Sequence, residues 1–282
     1  MGGRSSILQL LEGSDSLPPP AWIDILTSVA PEISVVIPAH NEAPSLQLIA
    51  GRIRDVLERE GRSYEIVFVD DGSGDGSREI LEQLRAEDSR VRVEYLGSHQ
   101  GKSAALTSGF AAAKGATLVT MDADLQDLPE ELPVLIGALE EQGLDLVQAW
   151  RSRRDDPRHK VLASHLFNSC CSLCSGLPLA DINCGLKAMR AEVAKRLLLE
   201  PNMHRFIPIF VHRAGGRVAE VPVRHARRAF GRSKYGPMRY GLGLLGLVRV
   251  VLLPRLLRRT QPSMRIAVRD SEAHPGVRES LG

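Results

Sequence analysis

Residues 33–42 read ISVVIPAHNE, a β-branched run followed by a short polar cluster. Ile33 to Pro38 has the composition of a strand buried on both faces. Pro44 then supplies a good first-turn residue, and Leu46, Ile49, Ile53, Val56 and Leu57 recur at helical spacing. Strand, polar turn and amphipathic helix make half of a βαβ unit, and the chain repeats the theme. Tyr64 to Asp70 predicts a second strand, with Ile80, Leu81 and Leu84 marking the helix after it. Val91 to Leu96 predicts a third strand and Lys102 to Lys114 its helix; Thr117 to Met121 a fourth, and Pro129 to Gln142 a helix with Leu132, Leu135, Ile136 and Leu139 inward; Leu144 to Trp150 a fifth. Such a series predicts an α/β fold with a largely parallel sheet and right-handed crossovers. After Trp150 the regularity fades. A charged loop from Arg151 to Lys160, helices at Val161 to Ser175 and Glu192 to Leu199, and strands at Gly185 to Met189 and Arg217 to Val223 are expected.

In a parallel sheet, ligands bind beyond the carboxyl ends of the strands. That rule gathers three polar clusters onto one edge: Pro38, His40 and Glu42 after the first strand, Asp70, Asp71 and Ser73 after the second, and Asp122 and Asp124 after the fourth. Asp122, Asp124 and Asp127 fall within six positions, where like charges repel unless a cation meets them. Asp122-x-Asp124, with Gln126, offers the hard oxygen ligands that Mg2+ or Mn2+ prefers when it also holds substrate phosphates. Asp127 has a second reading as cap of the helix near Pro129. Asp70-Asp71-Gly72-Ser73 is turn-forming chemistry, yet on this edge its carboxylates are expected to accept from base N–H groups or ribose hydroxyls. Gly97 to Ser103 (GSHQGKS) has three residues between its glycines where a Walker A loop needs four, so Lys102 is expected only to face a phosphate from a helix N-terminus.

The chain has 282 residues, 43% of them hydrophobic, enough for one large domain or two small ones. From Met203 to Arg259 thirteen Lys and Arg stand against Glu220 alone, which points to an anionic partner. Aromatics are only 4% of the chain, too few for a stacking nucleic-acid binder. Cys170, Cys171, Cys174 and Cys184 cluster, but without histidines at zinc spacing they read as small buried hydrophobes, three of them on one helix beside Leu166, Phe167 and Leu173. The N-terminus lacks the basic and apolar regions of an export signal, so a cytoplasmic location is expected. Tyr240 to Leu253 is apolar but broken by Arg249, and shorter than the roughly 20 residues that span a bilayer. With Leu242, Leu245, Val248, Leu252 and Leu256 at helical spacing and Arg239, Arg255, Arg258 and Arg259 flanking, it reads as an interfacial helix; packing on the protein's own core is the alternative.

VIPAHNE (36–42), VDDGSGDGS (69–77), GKSAALTSG (101–109), MDADLQD (121–127), DINCGLKAMR (181–190), MHRFIP (203–208) and AEVPVRHARRAFGRSKYG (219–236) occur in that order. Together they resemble the family-2 glycosyltransferases of the dolichol-phosphate mannose synthase and polyprenyl-phosphate glycosyltransferase type, over about residues 32 to 240. The resemblance implies a GT-A fold, Rossmann-like with a mostly parallel central sheet, and inverting, Mg2+- or Mn2+-dependent transfer of a sugar from a nucleotide diphosphate to a polyprenyl phosphate. It implies nucleotide-sugar binding by Pro38, His40, Glu42, Asp70 and Asp71, to which the edge placement adds Ser73, Lys102 and Asp122. It implies metal and diphosphate binding by Asp122, Asp124 and Gln126, and acceptor-phosphate binding by Lys160 and Ser164, with Arg151 a looser match. Arg232, Ser233 and Lys234 match a late basic loop that closes over the phosphates. Asp124, Arg232 and Lys234 are thus expected in catalysis, with Asp181 the candidate base if the acceptor were a hydroxyl. A phosphate acceptor needs no strong base, being largely a dianion at neutral pH. No Gln-x-x-Arg-Trp motif of processive synthases is present. The expected organisation is an N-terminal extension (1–31), the transferase domain (32–238), the amphipathic helix (239–260) and a polar tail (261–282). The protein is expected to sit peripherally on the cytoplasmic membrane, with no nucleic-acid partner and homo-oligomer formation open.

Overall fold

The computed structural model describes residues 30–151 and 158–226, with the side chains of 158–163 excepted. By compactness the chain divides into Met1–Ala30 and Pro31–Gly282, and the fold below belongs to the second unit. The proposed amphipathic helix and the basic triplet Arg232, Ser233 and Lys234 lie outside the described residues. Among the described residues, no helix is long and apolar enough to cross a membrane.

Among the described residues seven strands form one sheet: β1 (Ile33–Ala39), β2 (Tyr64–Asp70), β3 (Val91–Tyr95), β4 (Thr117–Thr120), β5 (Leu146–Arg151), β6 (Lys187–Arg190) and β7 (Val218–Val223), in the order β3-β2-β1-β4-β6-β5-β7. The helices are α1 (Ala43–Arg59), α2 (Ser77–Glu87), α3 (Lys102–Ala112), α4 (Leu132–Glu141), α5 (Arg158–Ser175), α6 (Ala191–Ala194) and α7 (Ile207–Arg213). Every residue of β2 is buried, including Glu65, whose carboxylate accepts from Ser34 Oγ (2.6 Å) and Lys114 N–H (2.5 Å). One apolar layer joins α1 and α4 to the sheet through Leu46, Ile49, Ile53, Leu132, Leu135 and Leu139. The other face is covered by α3 and the segments around α6 and α7, through Ala105, Leu106, Phe110, Ala194 and Ile207. Helix α3 lies so close to β1 that a Cβ on Gly109 would come within 2.3 Å of Val36 Cγ1.

The parallel half, β3-β2-β1-β4, matches the expected βαβ series. Strand β6 departs from it, running antiparallel to both β4 and β5. It enters from the carboxyl edge, so its register sets Lys187 opposite Thr120 and Gln148, at the top of the sheet. Its sequence does not reveal direction, because a four-residue strand reads alike both ways.

Two helix expectations need correction. The helix expected over Glu192 to Leu199 stops at Ala194. Leu197 and Leu199 are buried outside helical geometry, and the Leu199 N–H donates to Thr107 Oγ1 of α3 at 3.2 Å. Helix α7 was not expected, although Pro208 in its first turn is a start signal. Cys170, Cys171 and Cys174 lie in a small apolar cluster of their own, whereas Cys184 is buried in the layer formed with α1 and α4. Cys171 packs with Leu177, Leu179, Ile182, Met203, Phe206 and Ile209, and burial pushes its thiol up to about 12. Leu166 and Leu173, expected beside it, instead face outward.

Candidate active site

Pairing of β1 with β4 stops at Val36–Thr120, whereas pairing with β2 continues to Ala39–Asp70. Beyond that point β1 and β4 diverge at the topological switch of the sheet, where a crevice is expected. Pro38, which has no amide hydrogen, sits in this opening.

The loops after β1 and β2 are tied to one another. Ser73 Oγ accepts from Asn41 N–H (2.9 Å), Asn41 Oδ1 from Gly74 N–H (2.8 Å), and Ser77 Oγ from Glu42 N–H (3.0 Å). Asp75 accepts from Ala43 N–H, so the N-terminus of α1 is capped from the next loop. The His40 ring bonds the Asp71 carbonyl at 2.8 Å and stacks on His99 with centroids 4.1 Å apart. Asp70 is buried and accepts from Ser73 N–H (3.1 Å). Asp71 departs from its expected use. Its two oxygens accept from Gln100 N–H (2.6 Å) and Gly101 N–H (2.8 Å), and His99 lies 2.8 Å away, so the buried carboxylate pins the loop that opens α3 rather than facing a ligand.

That pinning delivers Lys102. Its ammonium does not stand apart for a phosphate but pairs directly with Asp122 Oδ1. Burial works against ionisation of Asp122; the ammonium groups of Lys102 and Lys187 outweigh it and hold the carboxyl below the usual range. The Asp122 side chain nonetheless keeps 36% of its surface open, so it is an ionised group on the floor of a cleft. Asp124 is largely buried, and its Oδ1 accepts from Gln126 N–H at 3.1 Å. Between them Leu125 takes φ +62°, a left-handed conformation that is strained for a bulky residue. Asp127 is not a helix cap. The turn at Pro129 has Leu128 at its cap position with no side-chain bond, and Asp127 Oδ2 instead accepts from Asp122 N–H at 3.4 Å.

Three residues that motif reading did not assign complete the cleft. Lys187 is 4% exposed, donates to the Cys184 carbonyl, and is brought down to about 8 by burial. A lysine inside the apolar run CGLKAM was the available signal, since Lys is almost never fully buried without a partner. His204 bonds Ser103 Oγ at 3.1 Å, and burial, reinforced by Lys102, Arg205 and Lys187, keeps it neutral at physiological pH. Gly185 leaves room for Asp122: an added Cβ would lie 2.8 Å from the Asp122 Cγ. Because the obstructed atoms are the tip of a side chain, Gly185→Ala is expected to keep the fold and turn the carboxylate away. Turnover at this site should fall about 100-fold, the scale of an ångström-size misplacement, with an unfolding midpoint close to wild type; a steady-state assay beside a thermal melt checks both.

On the other side of the cleft, Asp181 is completely buried and paired with Arg151 through Nε (2.6 Å) and Nη2 (2.9 Å). Glu220 of β7 accepts from the N–H groups of Ala180 (2.6 Å) and Asp181 (3.0 Å), while Gln148 Nε2 donates to the carbonyls of Asp181 and Cys184. A carboxylate with both oxygens held by a guanidinium is poorly placed to take a proton, so the geometry disfavours Asp181 as base. Arg151 correspondingly has two of its nitrogens committed to Asp181. Ser164 is buried on α5; the Lys160 side chain lies outside the description.

A sequence profile of glycosyl transferase family 2 matches residues 34–198, more than half of the chain. The chain belongs to glycosyl transferase family 2. Among curated relatives of this family-2 chain, the undecaprenyl-phosphate 4-deoxy-4-formamido-L-arabinose transferase of Edwardsiella ictaluri is 41% identical over 208 residues, 73% of this chain. The enzyme of the same name from Aeromonas hydrophila is 38% identical over 207 residues, also 73% of this chain. The match spans 64% and 63% of those relatives' lengths, under two thirds. Glucosyl-3-phosphoglycerate synthase of Mycobacterium tuberculosis, in complex with Mn2+, UDP and phosphoglyceric acid, superposes with TM-score 0.61 at 24% identity over 78% of each chain. Its complex with Mn2+, UDP and glucosyl-3-phosphoglycerate gives 0.62 at 22% over 86% of this chain and 88% of that one. At that identity the likeness establishes the fold, which is GT-A.

Proposed function

We propose that this family-2 chain transfers a sugar, with inversion, from a nucleotide-diphosphate donor to a polyprenyl phosphate at the cytoplasmic membrane face. The observation that carries the reading is the ionised, part-open Asp122 at the switch-point edge, facing the cations Lys102 and Lys187. A cleft that alternates fixed negative and positive charge suits a metal-diphosphate. Among the described residues no three His, Cys, Asp or Glu side chains gather into a metal cluster. Two carboxylates and an amide nevertheless fit Mg2+ or Mn2+, which take one or two carboxylates and fill the remaining positions with water and substrate phosphates. Asp122, Asp124 and Gln126 would hold the ion, which when bound supplies Lewis-acid stabilisation of the leaving diphosphate.

The chain's own groups define the rest. Pro38, His40, Glu42, Asp70 and Ser73 line the donor side, with Asp71 acting through the loop it anchors. Lys102, released from Asp122 when a diphosphate arrives, has phosphate oxygens as its new partners. Arg232 and Lys234 are assigned the same charge-neutralising role, and Ser233, Lys160, Ser164 and Arg151 the acceptor phosphate. The names of the curated relatives support a polyprenyl-phosphate acceptor. The engagement of Asp181 by Arg151 supports it independently, because a phosphate needs no strong base and a hydroxyl does. For the same reason, transfer to a small hydroxylated acceptor by a soluble enzyme is the weaker reading.

The test is transfer of labelled sugar from UDP-, GDP- and deoxynucleotide-linked donors to undecaprenyl phosphate in detergent, with Mn2+, Mg2+ or EDTA. Metal-dependent labelled lipid from one donor is the expected result. Transfer only to hydroxyl acceptors, or turnover that EDTA leaves intact, overturns the acceptor or the metal assignment respectively.

A further inference from the structure

The acidic turn is held from outside by the segment that leaves β7. Asp127 and His225 form an isolated antiparallel bridge, and the Ala226 N–H donates to the Gln126 carbonyl at 3.0 Å. Their side chains also meet: His225 Nδ1 lies 3.6 Å from Asp127 Oδ1, with 14% and 5% of the two side chains exposed. That ring nitrogen is buried and makes no hydrogen bond among the described residues; it faces the Asp127 carboxylate across this 3.6 Å contact. The other Asp127 oxygen accepts from the Asp122 N–H. A continuous path therefore runs from the His225 imidazole through Asp127 to the backbone that carries Asp122. One turn further along, Arg224 Nε donates to Glu131 Oε1 at 2.6 Å, a second tie between the same two segments.

Leu125 shows why a tie is needed. A non-glycine residue at φ +62° is strained and persists only where the surroundings over-determine it. Within the turn, two bonds act against relaxation: Asp122 N–H to Asp127 and Gln126 N–H to Asp124. The bridge to His225 and Ala226 is the contribution from a distant part of the chain.

We propose that Asp127 and His225 are a positioning pair that sets the direction of the Asp122 and Asp124 carboxylates, so that the affinity of the turn for a divalent ion depends on a side chain about a hundred residues away. Neither residue touches the donor in this arrangement; both act through Asp122. The inference rests on the metal assignment above, and the experiment separates the two.

The probe is Mn2+ alone, titrated into the full chain and followed by electron paramagnetic resonance, with thermal melts in parallel. Asp124→Asn, which removes a ligand, should lose Mn2+ binding. Asp127→Asn, an isosteric change, and His225→Ala should each weaken it about 10-fold, the lower end of what outer-shell partners contribute. His225→Asn returns a short side-chain N–H and should recover most of the affinity. The double variant Asp127→Asn/His225→Ala should bind no more weakly than the poorer single one, since both cut one path. If Asp124→Asn abolishes binding while Asp127→Asn and His225→Ala match wild type, the pair is not a positioning device and the metal assignment stands. Losses that add in the double variant, or melting shifts with unchanged Mn2+ affinity, also overturn it. Equal Mn2+ binding by wild type and Asp124→Asn, or none by wild type, removes the metal assignment and the pair together.

Discussion

Asp124→Asn is expected to cut sugar transfer about 1,000-fold, the upper range for losing one preorganised electrostatic partner, while leaving the fold intact. The contrast follows from what the side chain does in the protein. Asp124 Oδ1 accepts from the Gln126 N–H, and the amide oxygen of asparagine can accept the same bond, so the turn around Leu125 keeps its geometry. What disappears is one negative charge at the end of β4. Measured against a nucleotide-sugar donor, the variant should lose metal-dependent turnover at every Mn2+ concentration below saturation, and its melting midpoint should move by no more than a degree or two. Activity within tenfold of wild type would mean that Asp124 is a turn residue and no more.

Lys187→Met is expected to move stability and activity in opposite directions. Burial brings the ammonium from 10.5 down to about 8, with Cys184, Asp122 and Asp127 opposing that fall and Lys102 adding to it. In the unfolded chain the lysine holds its proton up to about pH 10.5, whereas in the folded chain it gives it up above about pH 8. Between those values the unfolded state binds more protons, so stability rises with pH, by about 3 kcal/mol across the window. Below pH 8 the folded protein carries the full cost of a buried charge. Methionine has similar length and no charge, so the variant should unfold at higher denaturant at pH 7 and lose the rise between pH 8 and 10.5. Transfer should fall in the same protein, because Lys187 is one of the cations that keep Asp122, the proposed metal ligand, ionised. Unfolding curves at pH 7, 8, 9 and 10 check the first half and a turnover assay the second. A less stable variant with unchanged pH slope would show that the buried ammonium is satisfied by its partners and contributes to the fold.

Much of this was legible in the chain because strand and helix periods are local. The β-branched runs at Ile33, Tyr64 and Thr117 and the amphipathic stretches between them needed no tertiary information, and the carboxyl-end rule then gathered His40, Asp70 and Asp122 on one edge. Positions were legible; partners were not. Asp71 looked like a ligand group because an aspartate after a strand has the same sequence signature whether it meets a nucleotide or the amides of Gln100 and Gly101. Asp181 looked like a base for the same reason, and only the fold brings Arg151 against it. Lys187 depended on the direction of β6, which a four-residue strand does not encode locally. His225 and Asp127 lie almost a hundred positions apart, and nothing in either neighbourhood announces the other.

The place of β6 also bears on how the chain is made. Strand β4 ends as an interior strand, flanked by β1 on one side and β6 on the other. During synthesis from the N-terminus, however, β1 to β4 are complete while Lys187–Arg190 are still untranslated, and β4 then presents an open row of backbone donors and acceptors. An uncovered apolar edge of this kind invites pairing with other nascent chains. The interval between translation of Thr120 and of Lys187 is thus the period in which this protein most needs a chaperone, and slowing elongation across it should raise the aggregated fraction.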